Sequence, residues 1–320
     1  MTFGIAPKIG AISLCYNRFM KIYDVKNAQR EYKDAILRNI GIAIGVFLII
    51  LLSCLVGSGS EVILFFFPFF AMVILIIFVA SAQKQSKAYH KAYKGYFVQR
   101  SLANVFTDLV YEREEGISSE FLRSTGMINT GDRYSSNDYV HGKYKDVGFT
   151  QSDVQIEVEH TDSDGKTTYY TIFRGRFMDF EFPKNFSFRL EVAEKGFGAN
   201  LIPYGKTKKG RKFEKVNLES SEFNETFRTY AEDGFEAFYI LDPALMNNML
   251  ELSEKHKGKL LFCFCDNHLI VGLKDGRDAF EPPSAFKTID EAAETKKVTS
   301  EINLVTDFVD QLKLNKKIFK

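Results

Sequence analysis

The stretch SCLVGSGSEVILFFFPFF, residues 53–70, decides the architecture because a short polar break interrupts a long apolar region there. The break at 57–61 contains two glycines and two serines, which suit a tight reversal of the chain. Residues 40–56 before it and 62–82 after it carry no charge. As helices, these segments would be about 26 and 31 Å long, close to the ~30 Å of a hydrocarbon core. The sequence therefore predicts a hairpin of two transmembrane helices.

The charges on either side of the hairpin predict its orientation. The polar break contains no lysine or arginine, whereas both outer flanks are basic. The positive-inside rule then places both termini in the cytoplasm and the short loop outside. A helical hairpin buried in a soluble core is the alternative, but core helices seldom run this long without a charge. The basic flanking residues are Lys8, Arg18, Lys21, Lys26, Arg30, Lys33 and Arg38 before the hairpin, and Lys84, Lys87, Lys91, Lys94 and Arg100 after it.

Composition excludes several other classes of protein. The net charge is +1 and the pI about 7.6, so nothing favours a nucleic-acid partner. Two of the four cysteines, Cys263 and Cys265, alternate with phenylalanine, which is typical of small buried side chains. The cysteines form neither a zinc pattern nor the framework of a secreted disulfide-rich protein. We expect no metal and no cofactor, and a reducing environment for most of the chain.

The remaining pattern predicts an α+β protein in four parts: a cytoplasmic amphipathic segment (1–39), the hairpin (40–82), a juxtamembrane helix (83–115) and a cytoplasmic domain (116–320). Alternating apolar residues in the last part predict an antiparallel sheet with flanking helices. Asp242 is the expected N-cap of a helix over 242–258. The predicted strands are 152–160, 167–182, 186–194 and two within 259–275, and the final helix is 300–314.

A basic stripe follows the second apolar segment. Its four lysines are spaced three or four residues apart and so lie on one face of a helix. Such a stripe can attract the anionic lipids of a cytoplasmic leaflet, and its simpler interpretation is the positive flank of a transmembrane helix. The residues of this candidate lipid surface are Lys84, Lys87, Lys91 and Lys94.

Signs of catalysis are weak. No nucleophile elbow, phosphate-binding loop, dinucleotide motif or metalloprotease motif is present. His141, near Asp132 and Asp138, is a candidate base, although a surface histidine is the simpler interpretation. A string of acids from 219 to 236 could supply paired carboxylates, but it also fits an amphipathic helix with a solvated acidic face. No catalytic residue is therefore assigned.

The stretch VNLESSEFNETFRTYAEDGFEAFYILDPALMNNMLEL (216–252) resembles an uncharacterised bacterial family of two-span membrane proteins, domain of unknown function 3137. NDYVHG (137–142) and FRGRF (173–177) resemble two further elements of that family. The resemblance covers most of 15–283 and implies a two-span anchor in the inner membrane with a cytoplasmic domain. One departure is Phe238, where the family often has arginine. The motif residues of unknown role are Ser220, Glu222, Phe223, Phe227, Asp233, Glu236 and Tyr239.

Three functions remain open from the sequence. The first is a membrane-anchored scaffold without catalysis, whose cytoplasmic domain binds an unidentified protein near membrane lipid. The second is a membrane-tethered enzyme that uses a carboxylate and histidine cleft. The third is a sensor of anionic lipid.

Overall fold

The computed structural model describes residues 20–56, 61–198, 205–206 and 212–314. Within these ranges, side chains are described except at 50–51, 53–56, 61–71, 73–77, 183–184 and 205–206. The chain divides into two compact units. Unit 1 comprises 1–96 with 282–291, and unit 2 comprises 97–281 with 292–320.

Unit 1 is built on two long helices, α1 (Ile22–Val56) and α2 (Glu61–Tyr93). They run antiparallel. Asn39 Nδ2 of α1 donates to the Phe78 carbonyl of α2 (2.8 Å), and Tyr32, nearer the start of α1, has its ring beside that of Tyr89, nearer the end of α2. The predicted amphipathic segment is thus not a separate helix. It continues into the first apolar segment, because nothing between Ile22 and Val56 breaks the helix.

Segment 282–291 belongs to the same unit. Gln29 Nε2 of α1 donates to the carbonyls of Ser284 (3.2 Å) and Lys287 (2.7 Å), and Tyr89 Oη of α2 donates to the carbonyl of Pro283 (3.0 Å). These bonds satisfy carbonyls of an irregular segment that has few backbone partners of its own.

The described residues do not support the predicted transmembrane hairpin. Across the described residues, no helix combines the length and the apolar character needed to cross a membrane. Much of the two predicted segments, 40–56 and 62–82, lies among the residues whose side chains are not described, and the break at 57–60 lies outside the described residues altogether. The two spans stay a prediction.

The described side chains of both helices leave many apolar groups in contact with solvent. Phe47 is 63 % exposed, although a phenylalanine of a soluble helix normally packs on a core. Exposed large apolar residues occur on both helices: Leu37, Ile40, Ile44, Phe47, Leu48, Ile49 and Leu52 on α1, and Met72 and Val79 on α2.

The predicted juxtamembrane helix 83–115 is too long. After α2 comes one π-helical turn (Lys94–Val98) and a short helix, α3 (Gln99–Ala103), and then strand β1 (Thr107–Glu112). Thr107, Val110 and Tyr111 have strand-favouring side chains. Pairing with the next strand overrides the helical spacing that the apolar residues Val98, Leu102, Val105, Phe106 and Leu109 show in the sequence.

Unit 2 confirms the mixed prediction of helices with an antiparallel sheet. The sheet has eight strands in the order β1-β2-β3-β4-β7-β6-β5, with β8 paired to β4. Its strands after β1 are β2 (Arg133–Tyr144), β3 (Val147–Thr161), β4 (Thr167–Glu194), β5 (Gly205–Lys206), β6 (Lys212–Val216), β7 (Phe227–Ala231) and β8 (Lys259–Lys274). The further helices are α4 (Ser119–Thr125), α5 (Ser221–Thr226), α6 (Gly234–Ile240), α7 (Pro243–Lys255) and α8 (Glu291–Gln311).

Two predicted strand pairs are each one long strand. The segments 167–182 and 186–194 join in β4, and 259–275 forms β8 as a single strand. The pairing of β4 with β8 shifts register twice, between Glu181 and Phe186 and between Phe186 and Leu190. Bulges of this kind bend a strand without ending it. Residues 183–185 in β4 and Asp266-Asn267 in β8, which are of types common in turns, therefore do not reverse the chain.

Strands β4 and β8 run through the core. Phe262 and Cys263 are adjacent on β8 and both fully buried, so both faces of the strand are covered. On one face, Phe262 meets Phe308 of α8 at 6.0 Å between ring centroids. On the other, Cys263 joins a cluster that includes Leu122 of α4 and Phe177 of β4. The two cysteines are thus buried and unpaired, as their alternation with phenylalanine predicts.

Candidate functional site

A group of three aspartates lies inside unit 2, and we call it the aspartate cluster: Asp138, Asp153 and Asp278. One carboxylate oxygen of each lies within 4.8 Å of the others. Asp138 and Asp153 are almost completely buried, and Asp278 is half-buried. Carboxylates seldom gather in a protein interior without compensation, so the partners of these three define what the site can do.

Local backbone geometry brings the cluster together. Asp138 sits where the pairing of β2 with β3 shifts register, and it has a left-handed φ of 56°. Its N–H donates to the carbonyl of Arg113 (3.0 Å) instead of to β3. Asp153 on β3 lies opposite Asn137. Asp278 follows β8, and its Oδ1 accepts the N–H of Phe280 (3.2 Å), which holds the loop in place.

Neutral donors satisfy most of the carboxylate oxygens. Tyr111 Oη donates to Asp138 Oδ1 (2.7 Å). Asn137 Nδ2 donates to Asp138 Oδ2 and to Asp278 Oδ2, at 3.0 Å each. The Ala279 N–H donates to Asp153 Oδ2 (3.0 Å).

The positive charge comes from Arg176 on β4. Its Nε lies 3.6 Å from Asp153 Oδ1, too far for a hydrogen bond but close enough for an ion pair. Its Nη1 donates to the main-chain carbonyl of Glu301 (2.8 Å), and its Nη2 donates to Glu301 Oε2 (2.9 Å). Arg277 pairs with the other oxygen of Glu301 at 3.1 Å. The network therefore connects the sheet to α8, which carries Glu301.

Burial dominates the electrostatics of the cluster. It raises the pKa of Asp153 well above its ordinary value, Arg176 opposes this, and the Asp278 and Asp138 carboxylates raise it further. Burial, followed by Asp138, also raises the pKa of Tyr111, so the phenol remains a hydrogen-bond donor. The raised pKa of Asp153 thus reflects its burial and the excess of negative charge that three carboxylates leave beside one arginine.

This chemistry favours a structural network over a metal centre. Three carboxylates are suitable ligands for a hard cation such as Mg²⁺. However, five of their six oxygens already accept hydrogen bonds from Tyr111, Asn137, Ala279 and Phe280, and Arg176 supplies a positive charge. A cation here would have to displace these donors.

Of the residues considered for catalysis, the structure brings Asp138 alone into the cluster. Asp132 is exposed, and its Oδ2 accepts the N–H of Glu159 (2.7 Å). His141 is exposed on β2, with its Nδ1 3.1 Å from Thr150 Oγ1. The acids of 219–236 do not form one amphipathic helix, because α5 and α6 are separated by β7. Within the described residues, none of these acids joins the aspartate cluster.

The family-motif residues mainly shape the backbone and the core. Ser220 and Asp233 are the N-caps of α5 and α6: Ser220 Oγ accepts from the Phe223 N–H (3.2 Å), and Asp233 Oδ1 accepts from the Phe235 N–H (2.9 Å). Phe223 and Phe227 are buried, with ring centroids 4.9 Å apart. Glu222 and Tyr239 are exposed, and Glu236 is half-buried on the first turn of α6.

The predicted lipid surface is shorter than its sequence spacing indicates. Lys84, Lys87 and Lys91 are exposed on α2, but Lys94 is buried. Lys94 is the first residue of the π-helical turn that follows α2.

A second buried ion pair lies between Arg189 and Glu191 of β4. Arg189 Nε donates to Glu191 Oε1 (2.8 Å), and Nη2 donates to the carbonyl of Gly126, which follows α4 (2.6 Å). Glu191 is fully buried, and its Oε2 has no partner among the described residues. Burial raises the pKa of Glu191 to about 7, and Arg189 opposes the shift.

Four residues of these buried networks were not predicted from the sequence: Asp153, Asp278, Arg176 and Glu191. Arg176 is followed in alternation by Met178, Phe180 and Phe182, so its charge adjoins an apolar row of β4, and this was a usable signal. No such signal marks Asp278 in the sequence, because aspartates are common in loops.

One of three comparisons with known proteins assigns part of the chain to a family. A family model described as "Protein of unknown function (DUF3137)" matches residues 171–314. No curated protein matches the chain. A solved structure that is similar is the crystal structure of the mycobacterial trehalose monomycolate transport factor A, TtfA, at 10 % identity and a TM-score of 0.35, over 70 % of this chain and 95 % of that one. A likeness at this level carries no argument.

The family match does not reach α1 and α2, so it leaves the predicted two spans and the bacterial origin without support. It does confirm the coarser part of the resemblance: residues 171–314, which include most of β4 to α8, match an uncharacterised domain family.

Proposed function

We propose that α1 and α2 anchor the protein in the cytoplasmic membrane, and that unit 2 is a cytoplasmic partner-binding module without catalysis. The observation that carries the anchor is the exposed apolar surface on both helices, of which Phe47 and Leu52 are examples. Each such side chain left half exposed to water costs on the order of 1 kcal/mol, which a hydrocarbon environment removes.

The charges around the helices support the orientation. Lys84, Lys87 and Lys91 are exposed on α2, beyond the second apolar segment, and residues 57–61 contain no basic residue. Lysines near an anionic leaflet contribute about 1 kcal/mol each, so the same three residues favour contact with lipid headgroups on the inner side. An anionic-lipid sensor is the second candidate function that they support.

Cysteine labelling of the full chain tests the anchor. In a variant without native cysteines, we expect a membrane-impermeant maleimide to label Ser58→Cys in intact cells, and to label Asp164→Cys only after the cells are opened. The reason is that the proposed anchor places residue 58 outside the cell membrane and residue 164 in the cytoplasm. Asp164 is in the turn between β3 and β4, where the Asp162 side chain accepts the N–H of Asp164 (3.0 Å) and its exposed side chain tolerates substitution.

Two outcomes would contradict the anchor. One is equal labelling of both positions in intact cells. The other is release of the unmodified full chain from membranes by alkaline carbonate, because that treatment leaves spanning helices in the bilayer.

The partner-binding role rests on helix α6. Phe235 is 81 % exposed and Tyr239 is 72 % exposed, with Phe238 half exposed beside them. Their spacing places the three rings on one side of the helix. Aromatic side chains that are exposed together are a common feature of protein interfaces. The aspartate cluster supports a role without catalysis, because five of its six carboxylate oxygens already accept hydrogen bonds from the protein.

Paired variants test this role. We expect the full-length wild type, cross-linked in cells and purified in mild detergent, to carry a defined partner that Phe235→Ser/Phe238→Ser loses about tenfold or more, as hot-spot aromatics do. Tyr170→Ser is the control, because Tyr170 is an aromatic residue that is likewise exposed but lies on β4, outside α6. Equal recovery by the wild type and the double variant would show that α6 is not the binding surface.

A further inference from the structure

A polar cleft of about 450 Å³ lies at the start of β2. Its lining residues are Asp132, Arg133, Tyr134, Ser135, Gln155 and Glu157. The volume is within the range of small-molecule sites in proteins. None of these residues belongs to the aspartate cluster, and none is used by the proposed anchor or by α6.

Strand register explains why the polar groups converge. Arg133 lies opposite Glu157, and Ser135 lies opposite Gln155, in the antiparallel pairing of β2 with β3. Residues directly opposite each other in a sheet point to the same face, and so do residues two apart on one strand. Four polar side chains therefore share one face.

Arg133 is held in position for a ligand. Its guanidinium stacks on the ring of Tyr169 of β4, with Cζ 3.3 Å from the ring centroid. Within the part of the chain that the structure describes, this guanidinium forms no ion pair, and apart from its contact with Tyr169 the side chain is exposed to solvent. Stacking fixes the plane of an arginine and lowers the entropy lost when its N–H groups bind a ligand.

The acceptors of the cleft are likewise only partly used. Glu157 Oε1 accepts from Gln155 Nε2 (2.7 Å), whereas no donor to Oε2 is found among the described residues. The hydrogen bond of Gln155 also turns its own carbonyl oxygen away from Glu157. Arg133 and Ser135 thus offer donors on one strand, and Gln155 and Glu157 offer acceptors on the other.

The mixture of charges selects the class of ligand. An anion would meet Glu157 and Asp132, and a cation would meet Arg133. An apolar ligand would remove the water from all of these groups without replacing its hydrogen bonds. A neutral molecule with neighbouring hydroxyl groups satisfies both sides, because each hydroxyl donates and accepts. We propose that this cleft binds a neutral polyol, such as a sugar or a cyclitol, through Arg133, Ser135 and Glu157.

Ligand-observed saturation-transfer NMR on the full chain tests the proposal. The protein is kept in a detergent without a sugar headgroup, and maltose and myo-inositol are the probes, with citrate and spermidine as charged comparators. We expect transfer to at least one polyol. We expect it to fall about tenfold in Arg133→Met, which keeps a stem over Tyr169 but has no N–H donors, and in Glu157→Gln, which replaces an acceptor with a donor.

Arg228→Met is the matched control. Arg228 is an exposed arginine of β7 outside the cleft lining, so transfer to the polyol should equal that of the wild type. The proposal is overturned by transfer to neither polyol above the protein-free blank, by undiminished transfer in both cleft variants, or by stronger transfer to citrate or spermidine than to the polyols. Because these readouts involve neither α1 and α2 nor α6, they can fail while the proposed anchor and partner surface hold.

Discussion

Replacement of Arg176 by methionine lowers the free energy of unfolding by about 3–5 kcal/mol, as expected when one partner of a buried ion pair is removed. Arg176 is 3 % exposed and supplies the positive charge next to Asp153. Methionine fills a similar volume, so the loss reports mainly on charge and hydrogen bonding. The bonds from Arg176 to Glu301 disappear at the same time, which loosens α8 from the sheet. Urea unfolding of the purified full chain measures the change.

Arg174→Met is the matched control for this substitution. Arg174 is two residues away on β4 but exposed, so we expect a change within about 0.5 kcal/mol. If Arg176→Met unfolded at the same urea concentration as Arg174→Met, the aspartate cluster would not depend on this arginine for its charge compensation. The explanation of the cluster as a structural network would then be wrong.

The pH dependence of stability reports on Glu191. In the folded protein burial raises the pKa of this carboxyl from its ordinary 4.5 to about 7. Between these two values the folded state binds more protons than the unfolded state, so stability falls as the pH rises through the window. Glu191→Gln cannot titrate. From about pH 5.5 to about pH 8.5 we therefore expect the wild type to lose ~2 kcal/mol relative to this variant.

The measurement is the difference between two curves of the free energy of unfolding against pH, one for each protein. Other groups that titrate in the same range contribute equally to both curves. Glu251→Gln, at an exposed position of α7, is the control, and its curve should run parallel to that of the wild type. Parallel curves for Glu191→Gln and the wild type would show that Glu191 ionises alike in the folded and unfolded chains. Glutamine also leaves Arg189 without its charge partner, which lowers stability at every pH but does not change the slope.

Local chemistry was readable from the sequence where the interaction partners are close along the chain. Asp242 is the N-cap of α7 as predicted, with its Oδ1 2.7 Å from the Leu245 N–H. The turn at 162–166, between the predicted strands 152–160 and 167–182, forms around Gly165, which has a φ of 79°. Such features depend on a few neighbouring residues, so the rest of the fold does not alter them.

The same reasoning failed where distant pairing competes with local preference. Leu109 continues the helical spacing of Leu102 and Val105, but the segment Thr107–Glu112 pairs with β2. The final helix begins at Glu291, well before the predicted residue 300, because Glu294 and Val298 are also buried. Neither result follows from spacing alone, since the free energy comes from contacts with elements far away in sequence.

The sequence by itself determined the mixed α+β class, the two uncharged segments, the burial of Cys263 and Cys265 and the likeness of part of the chain to an uncharacterised family. Each of these depends on composition or on short-range periodicity. Only the tertiary structure brought Asp138, Asp153, Asp278 and Arg176 together, and only strand register placed Arg133 opposite Glu157. The physical reason is that a buried charge needs a partner, and the partner is selected by how strands and loops meet in space.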